Sequence, residues 1–290
     1  MSKKAAVFML LGQSNAVGYG IFMSEEDKIK EPLKNVFGLN RMPNQSFDND
    51  KLFWSGYTSS GTNLGETHDD TYSVANCLAS LWQNEIDNGV NLPDLYIIQI
   101  AVGAQGVAEK KFMWSPEHDK VLKPGVLSEV NIALLPLTEH ILSLVPESIE
   151  KEGKEIEIMG LHWRGGEQDT LVPVEHLRNV LKDIYISMFD KFYKAMGQKF
   201  PVVLHNITHE EVSAKNNATE SFHYINEIYA ELSRENENME IFEVREAPFY
   251  TESVYDRGIF EPDAVHYSAK TNKWVAEQIL ENYKKEHSLK

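Results

Sequence analysis

The stretch AAVFMLLGQSNAVG, residues 5 to 18, decides how the rest of the chain is read. Its first seven residues, Ala5 to Leu11, are apolar without a break, the pattern of a strand buried on both faces. The run stops at Gly12-Gln13-Ser14-Asn15, where glycine, serine and asparagine favour a turn. A strand covered on both sides belongs to a mostly parallel sheet, whose crossovers are usually helices.

The remaining sequence carries that alternation. Further apolar runs at Leu95 to Val102, Glu155 to His162, Pro201 to Ile207 and Met239 to Val244 suit buried strands. Between them, Tyr72 to Asn88, Val126 to Val145, Val174 to Met196, Ala218 to Glu235 and Ser268 to Glu286 repeat apolar residues at helical spacing. The pattern predicts an α/β fold with helices on both faces of the sheet, built as one domain over residues 1–290. The least regular region, Ile21 to Thr71, holds one short candidate strand, Val36 to Leu39. It reads as a covering loop that could wall a substrate.

With 42% apolar and 25% charged residues, the 290-residue chain has the composition of a globular protein. A formal net charge of -16 argues against nucleic acid and anionic membrane surfaces as partners. Cys77 is the only cysteine, which excludes an intrachain disulfide and a thiolate metal cluster. Lys3-Lys4 ahead of Ala5 to Leu11 imitates a signal peptide, but cleavage would discard the Gly-Gln-Ser-Asn turn. No stretch approaches the about 18 apolar residues of a membrane span. The expectation is a soluble cytoplasmic protein, with export by an unconventional route as the alternative.

In open parallel sheets ligands bind beyond the carboxyl ends of the strands, so the residues following each run matter most. Ser14 sits where a tight turn would present its hydroxyl, as a nucleophile requires. Gly103-Ala104-Gln105-Gly106 follows the second run, where glycine lets backbone N–H groups approach a developing oxyanion. The third run leads into Trp163-Arg164-Gly165-Gly166-Glu167-Gln168-Asp169, dense in polar groups. Before the last helix comes Asp263-Ala264-Val265-His266, with Ser268 as a natural N-cap. Of the ten histidines only His266 has an aspartate three residues earlier, a spacing at which a carboxylate can fix the imidazole tautomer. His205 and His209 are four apart, but Pro201 and the strand pattern argue against the helix that would align them on zinc.

Together and in this order the four blocks resemble the SGNH hydrolases, in the branch of carbohydrate esterase family 6 and the sialate O-acetylesterases. The resemblance runs from Gly12 to His266 and the following helix. It implies a flavodoxin-like three-layer α/β/α sandwich and a serine esterase that removes O-acetyl groups from a sugar, such as a xylan fragment or sialic acid. By the resemblance Ser14 is the nucleophile, Asp263 and His266 are acid and base, and Gly103 helps line the oxyanion hole. Gln13, Asn15, Gln105 and Glu167 lie in the matching blocks as candidate oxyanion or substrate residues. No metal or organic cofactor is implied, and the partner is a small-molecule or oligosaccharide acetyl ester.

One position departs from the family pattern Trp-x-Gln-Gly-Glu-x-Asp/Asn: the oxyanion glutamine is Gly165 here. Losing one such donor typically costs about 10² to 10³ in rate. Arg164, Gln105 and Gln168 are the candidates to replace it, and a guanidinium could also hold a substrate carboxylate. Two other readings stay open: a weakly active or inactive carbohydrate-binding domain, and a serine hydrolase of non-sugar acyl esters. Trp54, Tyr57 and Trp114 are candidates to stack on sugar rings.

Overall fold

The computed structural model describes residues 3–18, 23–39, 47–48, 51–60, 64–65, 71–118, 133–247 and 265–289. Its first strand, β1 (Lys3–Gly12), separates its residues with the two-residue period of a pleated chain. Ala5, Val7, Met9 and Leu11 enter one hydrophobic core, while Ala6, Phe8 and Leu10 enter a second core on the opposite face. That double burial is why the run carries no polar break.

A single helical turn, α1 (Ser14–Val17), precedes β2 (Val36–Leu39), the short strands β3 (Phe47–Asp48) and β4 (Lys51–Leu52), and β5 (Trp54–Gly56). Helix α2 (Val74–Asp87) then leads into β6 (Asp94–Ala101), α3 (Leu134–Glu150) into β7 (Lys154–Arg164), and α4 (Val174–Met196) into β8 (Val202–His205). The described elements end with α5 (Glu210–Lys215), α6 (Thr219–Glu235), β9 (Met239–Phe242) and α7 (Ala269–Glu286). Ser73 and Ser268 cap α2 and α7 by accepting the amides of Asn76 and Thr271. Helix α3 runs through Pro146 instead of stopping at Val145, and part of its expected start, positions 126–132, lies outside the described residues.

Seven strands form one sheet in the order β5-β2-β6-β1-β7-β8-β9, parallel throughout except where β5 pairs with β2. Helices α2 and α7 pack on each other over one face, and α3, α4 and α6 cover the other. The layers are therefore α/β/α. Strands β6-β1-β7-β8-β9 run in the flavodoxin order 2-1-3-4-5, in which the second strand lies beside the first, and the short β2–β5 pair is added outside β6. Here β6 takes that place, matched to β1 from Ala5 opposite Asp94 to Gly12 opposite Ala101. Six of the eight residues of β6 are apolar and seven are buried, so the strand gains most from a position flanked on both edges. The four residues of β2 suit a place further out, covered by β5.

Among the described residues no helix is long and apolar enough to cross a membrane.

Candidate active site

Strands β6, β1 and β7 are neighbours and parallel, so their carboxyl ends lie side by side. The chain order also reverses at β1, with β6 and β2 to one side and β7 to β9 to the other. Ligands bind at such switch points. A cavity of about 390 Å³ opens there. The turn after β1 contributes Gln13 and Ser14, the loop after β6 contributes Gly103 and Ala104, and the segment after β7 contributes Glu167 and Gln168. His266 and Val265 enter from just ahead of α7.

Ser14 is 6% exposed and opens α1. The amides of Ala16 and Val17 both donate to the Gln13 carbonyl, at 2.7 and 3.0 Å, and Gly18 closes the turn in the left-handed region at φ 83°. The amide of Ser14 lies in the first turn of that helix, where N–H groups have no acceptor within the helix.

Glu167 holds the residues on either side of Ser14. Gln13 Nε2 and Asn15 Nδ2 each donate to one of its carboxyl oxygens at 2.6 Å. Asn15 also reaches the histidine segment: its Nδ2 donates to the Val265 carbonyl at 3.1 Å, and its Oδ1 accepts the Tyr267 amide at 3.2 Å. Asn15 thus brackets His266 from both sides, tying the Ser14 turn to the start of α7. One buried side chain fixes the relative placement of the two candidate catalytic groups.

The loop carrying Gly103 is anchored by Asp169. The carboxylate is fully buried and accepts the amides of Val107 and Ala108 at 3.0 Å. Burial pushes its pKa up to about 6, although both amide bonds pull the other way. Only glycine fits at 106, since a Cβ there would lie 2.3 Å from Asp169 Oδ1. Within the same loop Ala104 adopts the left-handed region at φ 56°, a strain of about 1 kcal/mol for a residue with a Cβ.

Gly165 is a position of close approach. A Cβ there would come within 2.9 Å of the Trp163 ring. That indole is wedged edge-on against Trp114 with centroids 5.1 Å apart, and its N–H donates to the Tyr229 hydroxyl at 3.1 Å. The same hydroxyl donates to the Gly165 carbonyl at 2.8 Å. The volume in which a longer side chain would start is therefore filled by a tryptophan that cannot readily yield.

Of the sequence candidates, Ser14, His266, Gly103, Gln13 and Glu167 are brought together around one cavity. Asn15 is buried beside it. Asp263 lies outside the described residues. Of Gln105, Arg164 and Gln168, the three candidate side-chain donors, only Gln168 lines the cavity. Gln105 is turned along its own loop, accepting the Met113 amide at 2.9 Å, and Arg164 is buried behind the Ser14 turn.

The sequence matches no family model and no curated protein. Its three-dimensional shape does find counterparts. NanS superposes on 98% of this chain and 99% of its own, with a TM-score of 0.59 and 14% identity. The chain shares its fold with NanS. A protein from Arabidopsis thaliana matches with a TM-score of 0.57 and 13% identity, over 96% of this chain and 97% of that one. A carbohydrate acetylesterase from Xanthomonas citri aligns more loosely, at a TM-score of 0.45 and 12% identity over 96% of this chain and 55% of its own.

Against this NanS-like framework the sequence reading missed one wall of the cavity. It is formed by α5 and its flanks, with His209, Val212 and Asn216 facing Thr170 and Leu171. The strand-end rule applied after β8 points to that segment, but the short helix carries too few residues to show a period. His205 and His209 sit in different surroundings. His205 lies 2.9 Å from His162 Nδ1 and stacks on Phe242, whereas His209 lines the cavity. Burial lowers the pKa of His162 to about 3 and that of His205 well below the usual range.

The aromatic candidates for sugar stacking are structural instead. Trp114 donates to the Gly12 carbonyl at 2.8 Å, Tyr57 to Asn76 at 3.0 Å, and Trp54 to Ser148 at 2.9 Å. Among the described residues of Ile21 to Thr71 none belongs to the cavity lining, and the rest of that expected substrate wall lies outside the described residues.

Proposed function

We propose that this chain is a serine esterase that removes an O-acetyl group from a carbohydrate. The observation that carries the reading is the meeting of Ser14, His266 and Gly103 around one cavity at the switch point of the sheet. The likeness of fold to NanS and the ordered Gly-Gln-Ser-Asn and Asp-x-x-His blocks support it.

In this mechanism His266 takes the Ser14 proton as the hydroxyl oxygen attacks the acetyl carbonyl. The tetrahedral oxyanion is held by the amides of Ser14 and Gly103, with Gln168, which lines the cavity, as the side-chain donor. Collapse expels the sugar alkoxide, which takes the proton back from His266. Water, deprotonated by His266, then attacks the acetyl-enzyme, and collapse releases acetate as the Ser14 oxygen takes the proton back from His266. Asp263 orients the imidazole. A cavity of about 390 Å³ lies near the lower end of ligand-site volumes, which fits one acetylated sugar unit rather than a length of polymer.

The test is acetate release from p-nitrophenyl acetate and from a panel of O-acetylated sugars, by the wild type and Ser14→Ala. The expected result is acetate-specific turnover that disappears in the variant, with octanoate esters rejected. Equal background rates from both proteins would remove the catalytic reading. A preference for long acyl chains would move the substrate away from sugar acetates.

A further inference from the structure

We infer that Arg164 is a positioning residue for both halves of the candidate catalytic pair, a role that rests on the esterase reading above. The alternation of β7 sends Trp163 into the core beneath α4 and α6 and turns Arg164 to the opposite face, toward α7. There the guanidinium is 1% exposed, a burial that is strongly unfavourable for a charge unless its surroundings hold it.

What holds it comes from two segments far apart in the chain, the Ser14 turn and the start of α7. Nη1 donates to the Asn15 carbonyl at 2.9 Å and to Asn272 Oδ1 at 2.8 Å, while the guanidinium carbon lies 4.9 Å from the centre of the Tyr267 ring. Asn15 follows the candidate nucleophile, Tyr267 follows the candidate base, and Asn272 stands in the first turn of α7. Asn272 is fixed in turn, its Nδ2 donating to the Tyr72 carbonyl at 2.9 Å.

Asn15 is consequently gripped from two sides by groups of opposite charge. Its side chain is held by Glu167 and its backbone carbonyl by Arg164. The guanidinium is suited to this because one planar group can donate within its plane and stack on a ring with its face. A lysine ammonium offers no such plane. Arg164 does not line the cavity, so it acts through Asn15 and Tyr267 and not on the substrate.

The test compares Arg164→Met and Arg164→Lys with the wild type by two independent readouts. The first is hydrogen exchange resolved by segment. Arg164→Met should speed exchange together around residues 14–18 and 265–272 while β6 and β8 stay protected. The second is the steady-state kinetics of p-nitrophenyl acetate hydrolysis. Arg164→Met should lower kcat by roughly ten- to a hundredfold with KM preserved, the scale expected for a small misplacement of reacting groups. Arg164→Lys should recover part of kcat and fold where the methionine variant does not.

Exchange confined to one of the two segments, or spread through the whole sheet, would overturn the inference. So would a rise in KM with kcat intact, which would place Arg164 on the substrate. If Ser14→Ala retains the wild-type rate, the esterase reading fails, while the exchange pattern still decides whether Arg164 couples the two segments.

Discussion

Placing a glutamine at position 165, as in the esterase pattern that the sequence resembles, should damage this protein. A simple motif argument predicts the reverse: an added oxyanion donor is worth about 10² to 10³ in rate. The structure sets a steric term against it. The new Cβ would meet two atoms of the Trp163 ring at 2.9 and 3.0 Å, closer than real Cβ contacts come. Trp163 cannot relieve this by a small swing. It is 1% exposed, edge-on to both Trp114 and Tyr185, and hydrogen-bonded to Tyr229. Overpacking of this kind typically costs about 1–3 kcal/mol. A chain of this size should then melt roughly 2–10 °C lower. Shifting Trp163 would also disturb the Tyr229 bond to the Gly165 carbonyl, and with it the segment leading to Glu167. The assay is a thermal melt beside kcat for p-nitrophenyl acetate. A tenfold or greater gain in kcat at an unchanged melting temperature would refute the packing argument. The double variant Gly165→Gln with Trp163→Phe, whose ring is smaller, should recover part of the lost stability.

Two further outcomes follow from the same contacts. Asn15→Ala leaves a Glu167 oxygen and the Tyr267 amide without their buried partner and takes one bond from the Val265 carbonyl; at about 1–3 kcal/mol for each of the first two the loss should reach several kcal/mol. Turnover should fall at least tenfold even where urea titration shows the variant folded, and full kcat in folded Asn15→Ala would dismiss its bracketing role. Asp169, raised from 3.8 to about 6, holds its proton more tightly in the folded chain than in the unfolded one. Its contribution is therefore fully present below pH about 4 and is lost as pH rises through about 6, an amount of about 3 kcal/mol by linkage. Asp169→Asn keeps an oxygen for the Val107 and Ala108 amides and removes the titration. Urea midpoints measured between pH 4 and 6 should fall less steeply with pH in the variant, and parallel curves would contradict the assignment.

The sequence alone determined the long helices, the buried strands and the chemistry-bearing points at their ends. A run such as Ala5 to Leu11 has no way to satisfy its apolar side chains except between two helical layers, and serine caps such as Ser268 mark a helix start by a local hydrogen bond. Local signals of this kind are complete within a few residues. For the same reason Ser14, Gly103, Glu167 and His266 were legible as separate candidates after separate strands.

What the tertiary structure decided was everything that depends on partners far apart in the chain. The insertion of β6 beside β1 follows from which long apolar strand gains most from a central place, a comparison no single stretch contains. The six residues of α5 are too few to display a period, so the wall bearing His209 emerged only from packing. Trp114 reads as a sugar platform until its bond to the Gly12 carbonyl buries it. Arg164 and Gly165 show the difference most plainly. As letters in a motif they are an added charge and a missing donor. In the folded chain, Arg164 is a buried clamp on Asn15 and Gly165 gives its space to the Trp163 indole, because burial and close packing join residues that sequence distance keeps apart.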